Sequence, residues 1–234
     1  MKIETPGGYG TGFLALYNQD RTICGIATAA HVIAHAEEWQ EPIRIRHAES
    51  KDPVFLKASE RVIYADWVAD SAVVLFLKRD LKLPERPIDL LPVETPCRIG
   101  VDIGWLGYPV IERYTLCFFS GAVSARQANK GAYLIDGVAI NGVSGGPVFH
   151  CHNSSVQIIG CVSAYQANRA TGETLPGLLR AQDVSHFHEI AKYVQSLDEA
   201  RNKKKEFEET QKKTQNPELS VNQKPSAGTA ISTT

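Results

Sequence analysis

The chain has no long run of uncharged apolar residues: no window approaches the roughly 18 that suggest a membrane span, and no early basic segment leads into one. Neither a transmembrane protein nor a product of the general secretory route is expected. Five cysteines are an odd number without framework spacing, a pattern that suits reduced thiols in a cytoplasmic protein better than disulfides. Cys24, Cys117 and Cys161 lie in apolar runs and are expected as small buried hydrophobes. Net charge is scarce as well, at −1 over 234 residues, which argues against a dedicated nucleic-acid or membrane-surface role. With 43% apolar residues the chain can bury one large or two small cores. These bounds describe a soluble globular protein.

Against that background one stretch stands out. Asn141-Gly142-Val143-Ser144-Gly145-Gly146-Pro147-Val148-Phe149 fences a serine with glycines between strand-like apolar residues. Glycines take backbone dihedrals and allow approaches that a Cβ forbids, so the N–H groups of Gly142 and Ser144 can turn toward one point as an oxyanion hole, with Ser144 attacking beside it. The same run also suits a hairpin turn carrying an inert serine, so the reading depends on partners. A serine hydroxyl needs a histidine base, and the base needs a carboxylate that fixes its tautomer. Thr28-Ala29-Ala30-His31-Val32 follows the apolar run Ile23 to Ala27 and is expected to open a helical turn. Asp70 opens the apolar run Ala72 to Leu77, where a carboxylate costs desolvation unless paired, and an imidazole N–H is a suitable partner. Asp66 competes for that role; Asp70 is favoured because it abuts the strand directly, and Asp66 reads as a turn residue.

Gly10-Thr11-Gly12-Phe13-Leu14, Thr28-Ala29-Ala30-His31, Asp70-Ser71-Ala72-Val73-Val74-Leu75, Gly107-Tyr108-Pro109, Ser120-Gly121-Ala122-Val123-Ser124 and Gly142-Val143-Ser144-Gly145-Gly146-Pro147 occur in this order. Taken together, the sequence resembles a chymotrypsin-fold (trypsin-like) serine protease, most like the HtrA-like bacterial branch, from about Gly10 to Asp183. The resemblance implies a catalytic triad of His31, Asp70 and Ser144, an oxyanion hole at the N–H groups of Gly142 and Ser144, and an all-β fold of two six-stranded Greek-key β-barrels with a C-terminal α-helix. The expected layout is a first barrel over 1–80 carrying His31 and Asp70, a linker over 81–96, a second barrel over 97–183 carrying Ser144, a helix over 184–214 and a disordered tail over 215–234. A protein or peptide would be the substrate, and no metal or organic cofactor is required.

The departures from the family pattern are informative. Secreted trypsins carry cysteines where this chain has Val32 and Ile140, and zymogen-activated relatives place an aspartate where it has Val143. The PDZ domain that many HtrA-type proteins carry is not expected here. The position six before the nucleophile, which floors the specificity pocket in trypsin-like enzymes, is Val138, and the pocket wall would be Val162-Ser163-Ala164-Tyr165. By that comparison Val138, Ser163, Ala164 and Tyr165 bind substrate, with a preference for small or medium aliphatic residues before the cleaved bond. A protease-fold binding protein that holds peptides or a partner without cutting is the alternative.

Elsewhere the pattern of residues predicts the elements. Met1 to Tyr9 leaves room for a stub strand around Ile3; Phe13–Tyr17 and Ile23–Ala27 read as a hairpin; Ile43 to His47 alternates as a half-exposed strand; Val54 to Tyr64 is a strand pair or one bent strand. Four prolines between Lys78 and Pro96 suit a linker. Strand-like runs follow at Ile99 to Leu106, Thr115 to Val123, Ala132 to Ile135, Pro147 to Cys151 and Val156 to Ala164. Val184, Phe187, Ile190, Ala191, Val194 and Leu197 form a helical stripe, beyond which Lys203 to Glu209 looks like a solvated extension. Metal sites are not expected: His31 and His35 lack the glutamate of the zinc-protease motif because Val32 holds its place, and His150 and His152 would point to opposite faces of a strand, away from one ion shared with His186 or His188.

Overall fold

A Pro-Gly-Gly reversal ends the first strand after four residues, so β1 (Lys2–Thr5) is short and folds back against β2 (Gly8–Thr11), placing Ile3 fully inside. The computed structural model describes residues 1–50, 52–138, 140–152, 155–168 and 175–215; the tail expected to be disordered lies, from residue 216 on, outside the described residues. β2 runs through Gly12 into β3 (Phe13–Tyr17), which forms the expected hairpin with β4 (Ile23–Thr28). Helix α1 (Ala30–Glu38) follows at once, burying Ala30, Ile33 and Ala36, which recur every third residue on one face. Then come β5 (Ile43–Arg46), β6 (Val54–Leu56), a 3-10 turn at Ala58–Glu60, β7 (Arg61–Asp66) and β8 (Ser71–Leu77).

These strands form two four-stranded sheets, in the orders β2-β1-β5-β6 and β3-β4-β8-β7, rather than one uninterrupted six-stranded ladder. The reason is that two stretches bend from one sheet into the other: β2 into β3 at Gly12, and β6 into β7 through the 3-10 turn. Val54 to Tyr64 is thus two strands, β6 and β7, which belong to different sheets and are not paired with each other. Counted by chain path, six strands surround a core that includes Ile3, Ile26, Ile33, Ile45, Leu56 and Val74. Strand β8 is apolar at consecutive positions because it is buried on both sides: Ala72, Val74 and Phe76 face that core, whereas Val73 and Leu75 face the second half of the molecule.

The proline-rich segment docks on the second half through Leu91 N–H to Ile158 O (2.8 Å) and Ile158 N–H to Asp89 O (2.8 Å). Six strands then close a barrel in the order β10-β11-β14-β13-β12-β9: β9 (Asp102–Gly107), β10 (Cys117–Gln127), β11 (Ala132–Asp136), β12 (Pro147–His152), β13 (Ser155–Asn168) and β14 (Leu175–Asp183). Strand β14 escapes the sequence pattern because it opens on Leu175-Pro176-Gly177, where proline and glycine are turn residues. Trp105 is fully buried at the heart of this barrel.

Helix α2 (Ser185–Gln215) begins where the helical stripe predicts, burying Phe187, Ile190 and Val194. The Phe187 ring meets Phe13 edge-on at 5.7 Å and 86°. By its contacts the chain divides into Met1–Val194, which holds both β halves, and Gln195–Thr234. The described part of the latter is helix, with ion pairs one turn apart between Arg201 and Asp198 (3.2 Å) and between Lys204 and Glu208 (3.9 Å). No described helix is long and apolar enough to cross a membrane. All five cysteines are free thiols. Cys24 and Cys161 are buried as expected, but Cys117 is only half-buried, since it sits at the end of β10 where the strand leaves the barrel.

Candidate active site

The first turn of α1 lacks both a side-chain cap and an acidic residue, because Ala29 holds the capping position. Asp70 supplies what is missing from across the fold. Its Oδ1 accepts the backbone N–H of His31 (2.9 Å), one of the N–H groups that a helix start leaves open. The same carboxylate meets the ring: His31 Nδ1 lies 3.0 Å from Oδ1 and 2.9 Å from Oδ2. A carboxylate acceptor places the proton on Nδ1 and leaves Nε2 with its lone pair outward. Asp70 sits in the left-handed backbone region (φ 54°), which aspartate tolerates better than most residues and which turns it out of β8 toward the helix. Ser163 Oγ donates a third interaction, 2.6 Å to Oδ2. Burial works to raise the Asp70 pKa, but the hydrogen bonds from the His31 ring, Ser163 and the His31 backbone outweigh it and hold the carboxyl below its usual range. Asp66, the competing aspartate, accepts the N–H groups of Val68 and Ala69 (2.9 Å each) and so closes the β7–β8 turn.

Ser144 projects from the loop before β12. Four successive carbonyls of that loop have partners: Asn141 O accepts from Val110 N–H (2.7 Å), Gly142 O from Thr11 Oγ1 (2.9 Å), Val143 O from Gly146 N–H (2.9 Å) and Ser144 O from Thr11 N–H (2.7 Å). Because the N–H and C=O of a trans peptide point oppositely, anchoring Asn141 O and Val143 O also fixes the N–H groups of Gly142 and Ser144. Neither of these two N–H groups has a hydrogen-bond partner among the described residues, whereas Val143 N–H and Gly145 N–H are spent on Ile140 O (3.2 Å) and Val162 O (2.7 Å). Gly142 (φ 92°) and Gly145 (φ 83°) hold left-handed conformations, and a Cβ on Gly145 would overlap Thr11 O and the Thr28 hydroxyl.

His31, Asp70 and Ser144 line one cleft of about 360 Å³, together with Ile140, Asn141, Val162, Ser163, Ala164 and Leu179. No hydrogen bond joins Ser144 Oγ to His31 among the described residues, which is common in unliganded sites of this chemistry. Of the expected pocket residues, Ser163 and Ala164 are in the wall, with the Ser163 hydroxyl committed to Asp70. The Tyr165 side chain lies outside the described residues. Val138 is 61% exposed and does not line this cleft: β11 ends at Asp136, Gly137 packs on the Trp105 ring, and the apolar places in the cleft belong to Ile140, Val162 and Leu179. Leu179 lines the cleft without having been expected there, because it comes from β14, which no sequence pattern marks. Thr11 lay within a recognised block, yet its partners 131 and 133 residues away are visible only in three dimensions.

No group of three or more metal-binding side chains forms among the described residues. His35 Nδ1 pairs with Glu41 (2.9 Å), His186 Nδ1 lies 2.5 Å from Ser71 Oγ, and His188 Nε2 lies 2.9 Å from Leu91 O.

A family model for the trypsin-like peptidase domain matches residues 10–160, which include His31, Asp70 and Ser144. No curated protein sequence matches. Among solved structures, the inactive form of a mutant of Rv3671c from M. tuberculosis H37Rv aligns over 82% of this chain and 84% of its own, with a TM-score of 0.55 at 19% identity, a likeness of fold alone. The closed barrel, the paired bent sheets and the C-terminal helix are those of a chymotrypsin-like fold. With the family model covering well over half of its length, the chain belongs to the trypsin-like peptidase domain family.

Proposed function

We propose that this protein is a serine endopeptidase of the HtrA-like kind, working in the cytoplasm on protein or peptide substrates. The observation that carries this reading is the double grip of Asp70 on one residue: it takes both the backbone N–H and the ring Nδ1–H of His31, in a cleft shared with Ser144. A ring so held presents Nε2 as the base. Ser144 Oγ attacks the scissile carbonyl carbon as its proton passes to Nε2, and the electron pair of the C=O moves onto oxygen, facing the N–H groups of Gly142 and Ser144. Collapse expels the leaving amine, which takes the proton from the imidazolium, and leaves an acyl-enzyme. Water repeats the sequence and frees the acid. Asp70 keeps its negative charge throughout and stabilises the transient imidazolium. Each oxyanion donor lowers the barrier by about 3 kcal/mol.

Ile140, Val162 and Leu179 support a preference for small or medium aliphatic residues before the cleaved bond, since among the described residues that line the cleft Asp70 is the one carboxylate and the rest, apart from the His31 base, are apolar or uncharged. Labelling by a fluorophosphonate probe tests the nucleophile: the wild-type chain should react and Ser144→Ala should not. A casein digest analysed by mass spectrometry tests the rest, with cuts expected after Ala, Val and neighbouring sizes. Cuts mainly after Lys, Arg or Asp would overturn the specificity, and absence of labelling would leave the binding-protein alternative.

A further inference from the structure

Thr11 is 1% exposed and belongs to the first half of the molecule, yet its principal partners belong to the second. Its Oγ1 donates to Gly142 O (2.9 Å) and accepts from Tyr108 N–H (3.0 Å). Its N–H donates to Ser144 O (2.7 Å), and its own carbonyl is held by Thr28 Oγ1 (2.7 Å). Every polar atom of this residue is thus engaged, and two of the four anchored carbonyls in the nucleophile loop are anchored by it.

The loop needs such an anchor. Gly142, Gly145 and Gly146 carry no Cβ to restrict their dihedrals, and two of the loop's N–H groups have no partner among the described residues. Left to itself, a chain of this composition lowers its energy by rotating peptides until those N–H groups find acceptors, which abolishes any preformed pocket for an oxyanion. The Thr11 hydroxyl opposes that at two points. It holds the Gly142–Val143 peptide directly, and through Tyr108 N–H it steadies the segment whose Val110 N–H holds Asn141 O. Threonine suits the task because its β-branch restricts χ1 and fixes where the hydroxyl points.

We infer that the Thr11 hydroxyl is a positioning group for the oxyanion-binding amides, acting from the opposite half of the fold; this rests on the serine endopeptidase reading. It touches neither substrate nor reacting atoms. Its removal lowers turnover while leaving ground-state binding nearly intact, because the developing oxyanion depends on the two amides more than the bound substrate does.

The test uses the full chain with Thr11→Val, which keeps the shape and deletes the hydroxyl, and Thr11→Ser, which keeps the hydroxyl. On a peptide substrate, Thr11→Val should lower kcat by about 10- to 100-fold with KM within about twofold, and affinity for a peptidyl boronate that mimics the tetrahedral adduct should fall in step with kcat. Thr11→Ser should recover kcat to within about fivefold of wild type. A second measurement does not depend on activity: in backbone amide NMR, the Gly142 and Ser144 N–H signals should shift or broaden in Thr11→Val and return toward wild type in Thr11→Ser. Unchanged kcat in a folded Thr11→Val protein, or equal impairment of the Val and Ser variants, would overturn the inference. Were the wild-type chain itself inert toward both fluorophosphonate and peptides, the endopeptidase reading would have failed, and unchanged amide signals in Thr11→Val would separately refute the positioning role.

Discussion

The hydroxyl of Ser163 lies 2.6 Å from Oδ2 of Asp70, the same oxygen that His31 Nδ1 approaches at 2.9 Å. One carboxylate therefore joins a strand of the second barrel to the helix start of the first half. Its hydrogen bonds outweigh the cost of burial, so the aspartate stays ionised where an isolated one would be harder to charge.

Replacing Ser163 by alanine should raise the Asp70 pKa toward its ordinary value, because burial then meets less opposition. The loss of a hydrogen bond to a charged group corresponds to about 1.5–3 kcal/mol of stability. Urea denaturation would measure it, and carboxyl-carbon NMR titration of Asp70 would show the shift directly. An unmoved titration would contradict the assignment of Ser163 as a stabilising donor.

The same residue sets a pH dependence. Asp70 binds its proton less tightly in the folded chain than in the unfolded one, so its contribution is fully present above the unfolded value of about 4 and is lost as pH falls through the lower folded value. The stability difference between wild type and Asp70→Asn should therefore be constant near neutrality and shrink below about pH 4. Denaturation series over the acid range would show it; a difference that grows on acidification would reverse the sign argued here.

Gly145→Ala should be among the most damaging single-methyl additions in the protein. The backbone is left-handed there (φ 83°), and the new methyl would overlap Thr11 O and the Thr28 hydroxyl. A loss of several kcal/mol is expected, on the order of other strained core insertions. Thermal unfolding of purified protein, or the fraction recovered folded, would check it.

Phe187→Ala removes a fully buried ring that packs on Phe13 and should cost about 3–5 kcal/mol. Because Phe187 lies outside the cleft, the variant should keep its KM and lose midpoint stability. A variant with unchanged stability would mean that the start of α2 does little to hold the fold.

Widening the cleft tests its chemistry. Ile140→Ala should shift cleavage toward bulkier residues before the cut bond, read from a peptide library as a changed ratio of kcat/KM for Phe over Val by about tenfold.

Much of this protein was legible before its structure. Alternation and turn residues located most strands, the apolar stripe located α2, and the glycine frame around Ser144 marked the loop on which the chemistry is proposed to rest. Local patterns can do this because the residues that carry them are neighbours in sequence. Where local cues conflicted, the reading failed: β14 hides behind Pro176 and Gly177, and the first half bends into two sheets at places that no pattern of alternation marks. Counting back from Ser144 points to Val138 as a pocket residue, but counting does not reveal that Gly137 packs on Trp105 and Val138 is largely exposed.

The division has one physical cause. Periodicity, turn chemistry and the choice of residues able to act as base, acid partner or nucleophile are properties of short stretches, and the sequence determined them alone. Which hydroxyl meets which carboxylate, and which carbonyls of the serine loop are held, depends on contacts between stretches as far apart as Thr11 and Gly142. Only the packing of two halves around shared cores decided those, because a hydrogen bond of 2.9 Å between residues 131 positions apart exists only after the chain between them has folded.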